Sequence, residues 1–153
     1  MIANFHPAPG ACNCLAVRQA ARHVTQLYDH FLAPVGLPTT QYSILAMLRA
    51  KGTMTINALA QALVMDRTTL GRNILPLQRQ RLVSIAKARA DRRSKELRLT
   101  DRGFARLRAA AQGWSSAQAR FDGAFGSGRA GDLRALLRAA VSTDFGAGPG
   151  VAS

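Results

Sequence analysis

Apolar positions along the chain switch between helical and strand spacing, and the switches divide it into elements. Residues 1–12 hold two prolines and a glycine without any apolar period, which predicts a loose arm. From Asn13 the spacing becomes helical. Val24, Leu27, Tyr28, Phe31, Leu32 and Val35 recur at steps of three and four and predict a long helix ending around Pro34 and Gly36. Thr39 or Thr40 is placed to cap a second helix, in which Tyr42, Ile44, Leu45, Met47 and Leu48 form an apolar face too wide for a surface helix. Thr55 suits the N-cap of a short helix with Ile56, Leu59, Ala60 and Leu63 on one face. Asp66 starts another, with Leu70, Ile74 and Leu77 inward and Arg67, Thr68, Thr69, Arg72 and Asn73 on the polar side. Two short helices joined by a tight turn make a helix-turn-helix, and Pro76 is expected to bend or thin the last turn of the second.

The period then changes to two. Val83 and Ile85, and later Leu97 and Leu99, alternate with polar residues around the stretch AKARADRRSKE, which predicts a two-stranded β-wing with a basic tip. After Thr100, a good cap, Phe104, Leu107, Ala111, Trp114, Gln118, Phe121 and Phe125 form a coiled-coil-like stripe on a long helix that must pack on another helix. The GSG at 126–128 is expected to break it, Leu133, Leu136, Leu137, Ala140 and Val141 mark a final amphipathic helix, and 146–153 is expected to be a disordered tail. The fold class is therefore mainly α, a winged helix-turn-helix over 37–100, with N- and C-terminal helical regions, 13–36 and 101–145, left for dimerisation.

Composition sharpens this picture mainly through charge. The 153 residues include 21 Lys and Arg against 8 Asp and Glu, a formal charge of +13. Thirteen of the basic residues and four of the acidic ones fall within 66–108, across the second short helix and the wing. So local a surplus suggests a polyanion, and double-stranded DNA is the partner that this geometry suits. No apolar run approaches the roughly 18 residues of a membrane helix, and the first basic residue is Arg18, so a membrane partner and a signal peptide are not expected and a cytoplasmic protein is.

The motifs LPTTQYSILAML, TINALAQALVMDRTTLGRNILPLQRQRLV and DRRSKELRLTDRG, which ends in L-T-x-x-G, together resemble the MarR family of winged-helix transcriptional regulators over residues 14–142. The resemblance implies a homodimer whose terminal helices interlock and whose two lobes grip duplex DNA at a pseudo-palindromic operator, as a repressor. The bottom-up chemistry agrees. Arg67, Thr68, Thr69, Arg72 and Asn73 lie where a helix in the major groove presents side chains to base edges, and Arg89, Arg92 and Arg93 lie at a wing tip that suits the narrow minor groove. By resemblance Asp91 positions the wing by pairing with a neighbouring Arg. Arg81 departs from the family pattern: it stands where a glycine often ends the recognition helix, and a left-handed conformation there would be costly, which leaves the helix-to-wing angle open.

Cys12 and Cys14 are one residue apart, too close for an unstrained disulfide. With QY at 41–42 aligned, Cys14 matches the sensing cysteine of the organic-hydroperoxide branch of the family, OhrR, and Tyr28 one of its tyrosine partners. Thr39 occupies the second tyrosine's place, and Val17 and Arg18 also differ from that pocket. Cys14, with Cys12, is thus a candidate redox sensor, and packed or surface thiols are the plain alternative. The resemblance further implies a pocket for a small effector such as an aromatic acid near His23, Tyr28 and Tyr42, which could equally be core or interface residues. No metal or other cofactor is expected, because the C-x-C pair and His6, His23 and His30 match no closed site. No enzyme is expected either: Cys14 and His23 are nine residues apart on one helix, about 13 Å. The rival to a sequence-specific regulator is a non-specific architectural DNA-binding protein.

Overall fold

The computed structural model describes residues 8–146. In chain order these form α1 (Asn13–Leu32), α2 (Thr39–Lys51), β1 (Met54–Thr55), α3 (Ile56–Leu63), α4 (Arg67–Arg79), β2 (Val83–Lys87), β3 (Lys95–Leu99), α5 (Asp101–Phe125) and α6 (Ser127–Ser142). Residues 1–7 of the expected arm, His6 among them, and 147–153 of the expected tail lie outside the described residues. The described end of the arm is not wholly loose, because Pro9–Ala11 forms one 3₁₀ turn.

Local chemistry accounts for most boundaries. α1 starts at Cys12, whose Sγ accepts the Leu15 N–H at 3.4 Å. It ends in a 3₁₀ turn over Ala33–Val35 that Gly36 closes in the left-handed conformation, φ 60°. α2 is capped neither by Thr39 nor by Thr40. Thr39 is already helical, and the carboxylate of Asp29, on α1, accepts both its N–H, at 2.7 Å, and its hydroxyl. A negative group supplied from a neighbouring helix thus satisfies an orphan donor at the positive end of α2.

The sheet has three strands, not two, in the order β1-β3-β2. β2 and β3 pair antiparallel with Val83 opposite Leu99 and Ile85 opposite Leu97, while Met54 of β1 lies opposite Leu97 on the other edge. β1 escapes the sequence pattern because two residues cannot display a period of two.

By contact the chain divides into two compact units, one up to Ser116 and one from Ala117 on. The first holds a continuous leucine-rich core in which Leu32, Leu37, Ile44, Leu45, Leu59, Leu70, Leu77, Leu82 and Leu97 are inaccessible to solvent. Each such side chain contributes about 1.5–3 kcal/mol relative to exposure. α5 meets this core differently from the expected stripe. Its buried line is Gly103, Leu107 and Ala110, while Phe104 and Trp114 stay 46% and 37% exposed. Backbone contact explains the choice: a Cβ on Gly103 would lie 2.1 Å from the Leu82 carbonyl oxygen, and one on Gly113 2.4 Å from that of Phe31. Small residues let the helix approach to that distance.

Within the second unit, Ala117 and Ala130 are buried, Arg134 pairs with Asp122 at 3.5 Å, and Arg129 lies over the Phe125 ring at 4.4 Å. Only Gly126, φ 98°, interrupts the helices; Ser127 and Gly128 already belong to α6, so the expected three-residue break is a single residue. Leu136, Leu137, Val141 and Phe145 are exposed. Among the described residues no single helix is long and apolar enough to cross a membrane.

Candidate nucleic-acid interface

The Thr55 hydroxyl oxygen accepts the Ala58 N–H at 3.1 Å and starts α3. α3 closes with the Met65 N–H bonded to the Ala60 carbonyl at 2.9 Å and the Val64 N–H to that of Gln61 at 3.1 Å. This paired pattern needs a left-handed residue, normally glycine, yet here it is Val64 at φ 51°. A β-branched side chain in that region is strained, and it sits at the turn of the helix-turn-helix.

Asp66 then caps α4. One carboxylate oxygen accepts the Thr69 N–H at 2.8 Å and the other the Thr69 hydroxyl at 2.6 Å. The hydroxyl bond, followed by the backbone bond, holds the Asp66 carboxyl below its ordinary range. One turn on, the Asn73 amide donates to the Thr69 carbonyl at 2.9 Å. Of the five α4 residues singled out from sequence, Thr69 and Asn73 therefore spend polar groups on their own helix. Arg67, Thr68 and Arg72 stand exposed, opposite the buried Leu70, Ile74 and Leu77. Gly71 between them leaves open space where a Cβ would be.

α4 runs through Pro76 to Arg79, with Gln80 as its C-cap. The open question at Arg81 is resolved: it adopts the left-handed conformation, φ 58°, despite its Cβ. The Leu82 N–H bonds the Leu77 carbonyl at 2.8 Å and the Arg81 N–H that of Gln78 at 2.9 Å. Burial of both Leu77 and Leu82 accompanies the turn, and the Thr100 hydroxyl, in reach of the Arg81 carbonyl at 2.7 Å, ties it to the start of α5. Helix and wing are thereby set at one geometry.

The wing tip is built by backbone bonds. Asp91 accepts the Arg93 N–H at 2.9 Å, and its own carbonyl accepts the Ser94 N–H and hydroxyl, each at 3.0 Å. Asp91 thus shapes the tip as an Asx-turn and not, as the resemblance implied, by pairing with an Arg side chain. Arg89, Arg92 and Arg93 are exposed, and the single ion pair among the described residues, Arg134 with Asp122, involves none of the cations of α4 or the wing. A groove of about 400 Å³ lies between the start of α3, Arg67 at the start of α4, and Arg93 and Lys95 of the wing. Lys95 went unnoticed in the sequence, where it is one basic residue among many.

The effector candidates are less convergent. Cys12 and Cys14 are both free and exposed at the start of α1. Tyr42 stacks on Trp114, with centroids 6.4 Å apart and planes within 12°. Desolvation raises its phenol above the ordinary value, and Arg49 partly opposes the shift. It lines a cleft of about 290 Å³ with Ala46, Arg49, Leu107 and Ala111. Neither His23, exposed on α1, nor Tyr28, half-buried on the same helix, lines that cleft, so the three pocket residues read from sequence are not brought together there. Among the described residues no three His, Cys, Asp or Glu side chains form a metal-holding group.

Comparison with known proteins now places this geometry. The MarR family model matches residues 35–94. The M. tuberculosis transcriptional regulator MosR, solved in complex with DNA, is 37% identical over 84% of this chain and 96% of its own, with a TM-score of 0.73. The transcriptional repressor CouR, bound to a 23-mer DNA duplex, is 26% identical over 85% of this chain and 92% of its own, with a TM-score of 0.76. Bordetella bronchiseptica BpsR, whose DNA binding is regulated by 6-hydroxynicotinic acid, shares the fold at 20% identity, with coverages of 92% and 99% and a TM-score of 0.79. No curated protein matches. The chain, a winged helix-turn-helix protein and not an enzyme, belongs to the MarR family of transcriptional regulators.

Proposed function

We propose that the protein is a repressor that binds a pseudo-palindromic operator as a homodimer. The observation that carries this reading is the row of exposed side chains on α4, Arg67, Thr68 and Arg72, beside a wing whose arginines form no ion pair among the described residues. Arg72 and Thr68 suit base edges in the major groove, and Arg89, Arg92 and Arg93 the minor groove, with half-sites about 10 bp apart. The exposed apolar residues of α6, Leu136, Leu137 and Val141, are matched by a second copy of the chain, so that residues 13–36 and 101–145 serve dimerisation and 37–100 DNA binding. MosR and CouR, both solved on DNA, support this reading by likeness.

Release follows from a shift between DNA-competent and incompetent dimers, driven by oxidation of Cys14, with Cys12 beside it, or by a small aromatic acid near Tyr42. Both thiols are exposed, as a peroxide sensor requires. Selection of bound sequences from random duplexes, on reduced protein and after organic hydroperoxide, tests the reading. A palindrome lost on oxidation but kept by Cys14→Ser supports a redox-switched regulator. A palindrome indifferent to oxidant moves the switch to the Tyr42 cleft, and no enriched sequence means an architectural DNA binder.

A further inference from the structure

We infer that Leu75 meets the C5-methyl group of a thymine in the major groove and so specifies a T·A pair beside the base pair that Arg72 reads. This deepens the operator-binding reading above and rests on it. At about 100° per residue along α4, Thr68, Arg72, Leu75 and Arg79 fall within about 60° of one another, and the buried Leu70, Ile74 and Leu77 fall on the opposite side. Leu75 thus lies in the middle of the face turned away from the core, 46% exposed, while its neighbour Ile74 is 4% exposed. The residues three and four away on either side are Gly71, Arg72, Gln78 and Arg79, so no apolar side chain of its own helix flanks it. An arginine on each side suits a polyanion as the occupant of this stripe, not an apolar protein surface. The apolar group that a duplex presents to a helix in its major groove is the thymine methyl. Gly71, where a Cβ would meet open space, adds nothing to the stripe and lets the backbone approach the groove floor. Arg72 and Leu75 are about 4.5 Å apart along the helix axis, close to the base-pair step of about 3.4 Å, which places the thymine next to the pair under Arg72.

Replacing thymine by deoxyuridine removes the methyl and keeps the O4 acceptor, which isolates this contact. Affinity for the palindrome selected from random duplexes is measured with each thymine replaced in turn, symmetrically in both half-sites, for the parent protein and for Leu75→Ala. Because Leu75 is exposed, Leu75→Ala is expected to melt like the parent. At one thymine position per half-site the parent should lose about fourfold in affinity per half-site, about 15-fold over both, the worth of one buried methyl group in each. Leu75→Ala should bind the thymine and deoxyuridine duplexes alike at that position. A palindrome in which no thymine shows the loss overturns the proposal and leaves the operator reading standing. So does a loss that persists undiminished in Leu75→Ala, which means that another side chain meets the methyl. A Leu75→Ala protein that sediments at a different mass from the parent overturns it too, because the leucine is then covered by a second copy. If no palindrome is enriched at all, the operator reading itself fails, and the proposal with it.

Discussion

The two compact units bury different things. Up to Ser116 the interior is made mostly of leucines, contributed by the helices α1 to α5 and by β3, and among the described residues no polar residue is buried there. From Ala117 on, the buried residues among those described are Ala117 and Ala130, while Leu136, Val141 and Phe145 are 69%, 66% and 83% exposed. The first unit buries most of its hydrophobic pattern within one chain, although Val64, Phe104 and Trp114 stay exposed. The second carries an amphipathic pattern whose apolar side is exposed among the described residues, and it is this side that the proposed dimer would cover.

Breaking that difference gives the largest expected effect. Leu137→Asp with Val141→Asp should yield a monomer by sedimentation, with a near-native circular dichroism spectrum. Operator affinity should fall 10²–10⁴-fold as the two half-sites lose their linkage. A variant that remains dimeric would show that α6 is not the contact. Within the first unit, Leu45→Ala should lower unfolding free energy by about 2–5 kcal/mol, whereas Leu136→Ala should change the stability of the monomeric double-Asp background by under about 0.5 kcal/mol, both read by denaturant titration. Equal losses would erase the distinction. A smaller change of opposite sign is expected at the end of α4: Arg81→Gly should stabilise the lobe by about 0.5–1 kcal/mol, because glycine adopts the left-handed conformation without a Cβ penalty. The smallest effect is at Asp66. Its carboxyl is held below the ordinary 3.8, so the cap's contribution is present above that value and is lost as pH falls through the lower folded value. The Thr69 amide shift, followed by NMR, should titrate below pH 3.8, and a midpoint above it would contradict the cap.

Sequence periodicity revealed the elements whose side chains make the contacts. The 3.6-residue pattern of Leu70, Ile74 and Leu77 and the alternation of Val83, Ile85, Leu97 and Leu99 both persist in the fold. It failed where the backbone or a distant residue acts. Gly103 and Gly113 pack through their missing side chains, so an apolar count points instead to Phe104 and Trp114. The cap of α2 comes from Asp29, ten residues back, and no local motif announces it. Asp91 acts on an N–H two residues ahead, not on a charge. Of the candidate interface, Arg67, Thr68 and Arg72 were legible from their position after the Asp66 cap, whereas Lys95 joins Arg67 only because the hairpin folds back beside α4. His23, Tyr28 and Tyr42 were named through the family resemblance, and of the three only Tyr42 lines the cleft with Ala46, Arg49 and Leu107.

The most direct test of sequence reading by α4 is the ratio of affinities for the selected palindrome and for a scrambled duplex, measured at one fixed salt concentration. The account predicts a ratio of about 10³ or more, with Arg72→Ala lowering it by about 10–100-fold while leaving scrambled-duplex affinity nearly unchanged. A ratio near one, or equal losses on both duplexes in Arg72→Ala, would contradict it.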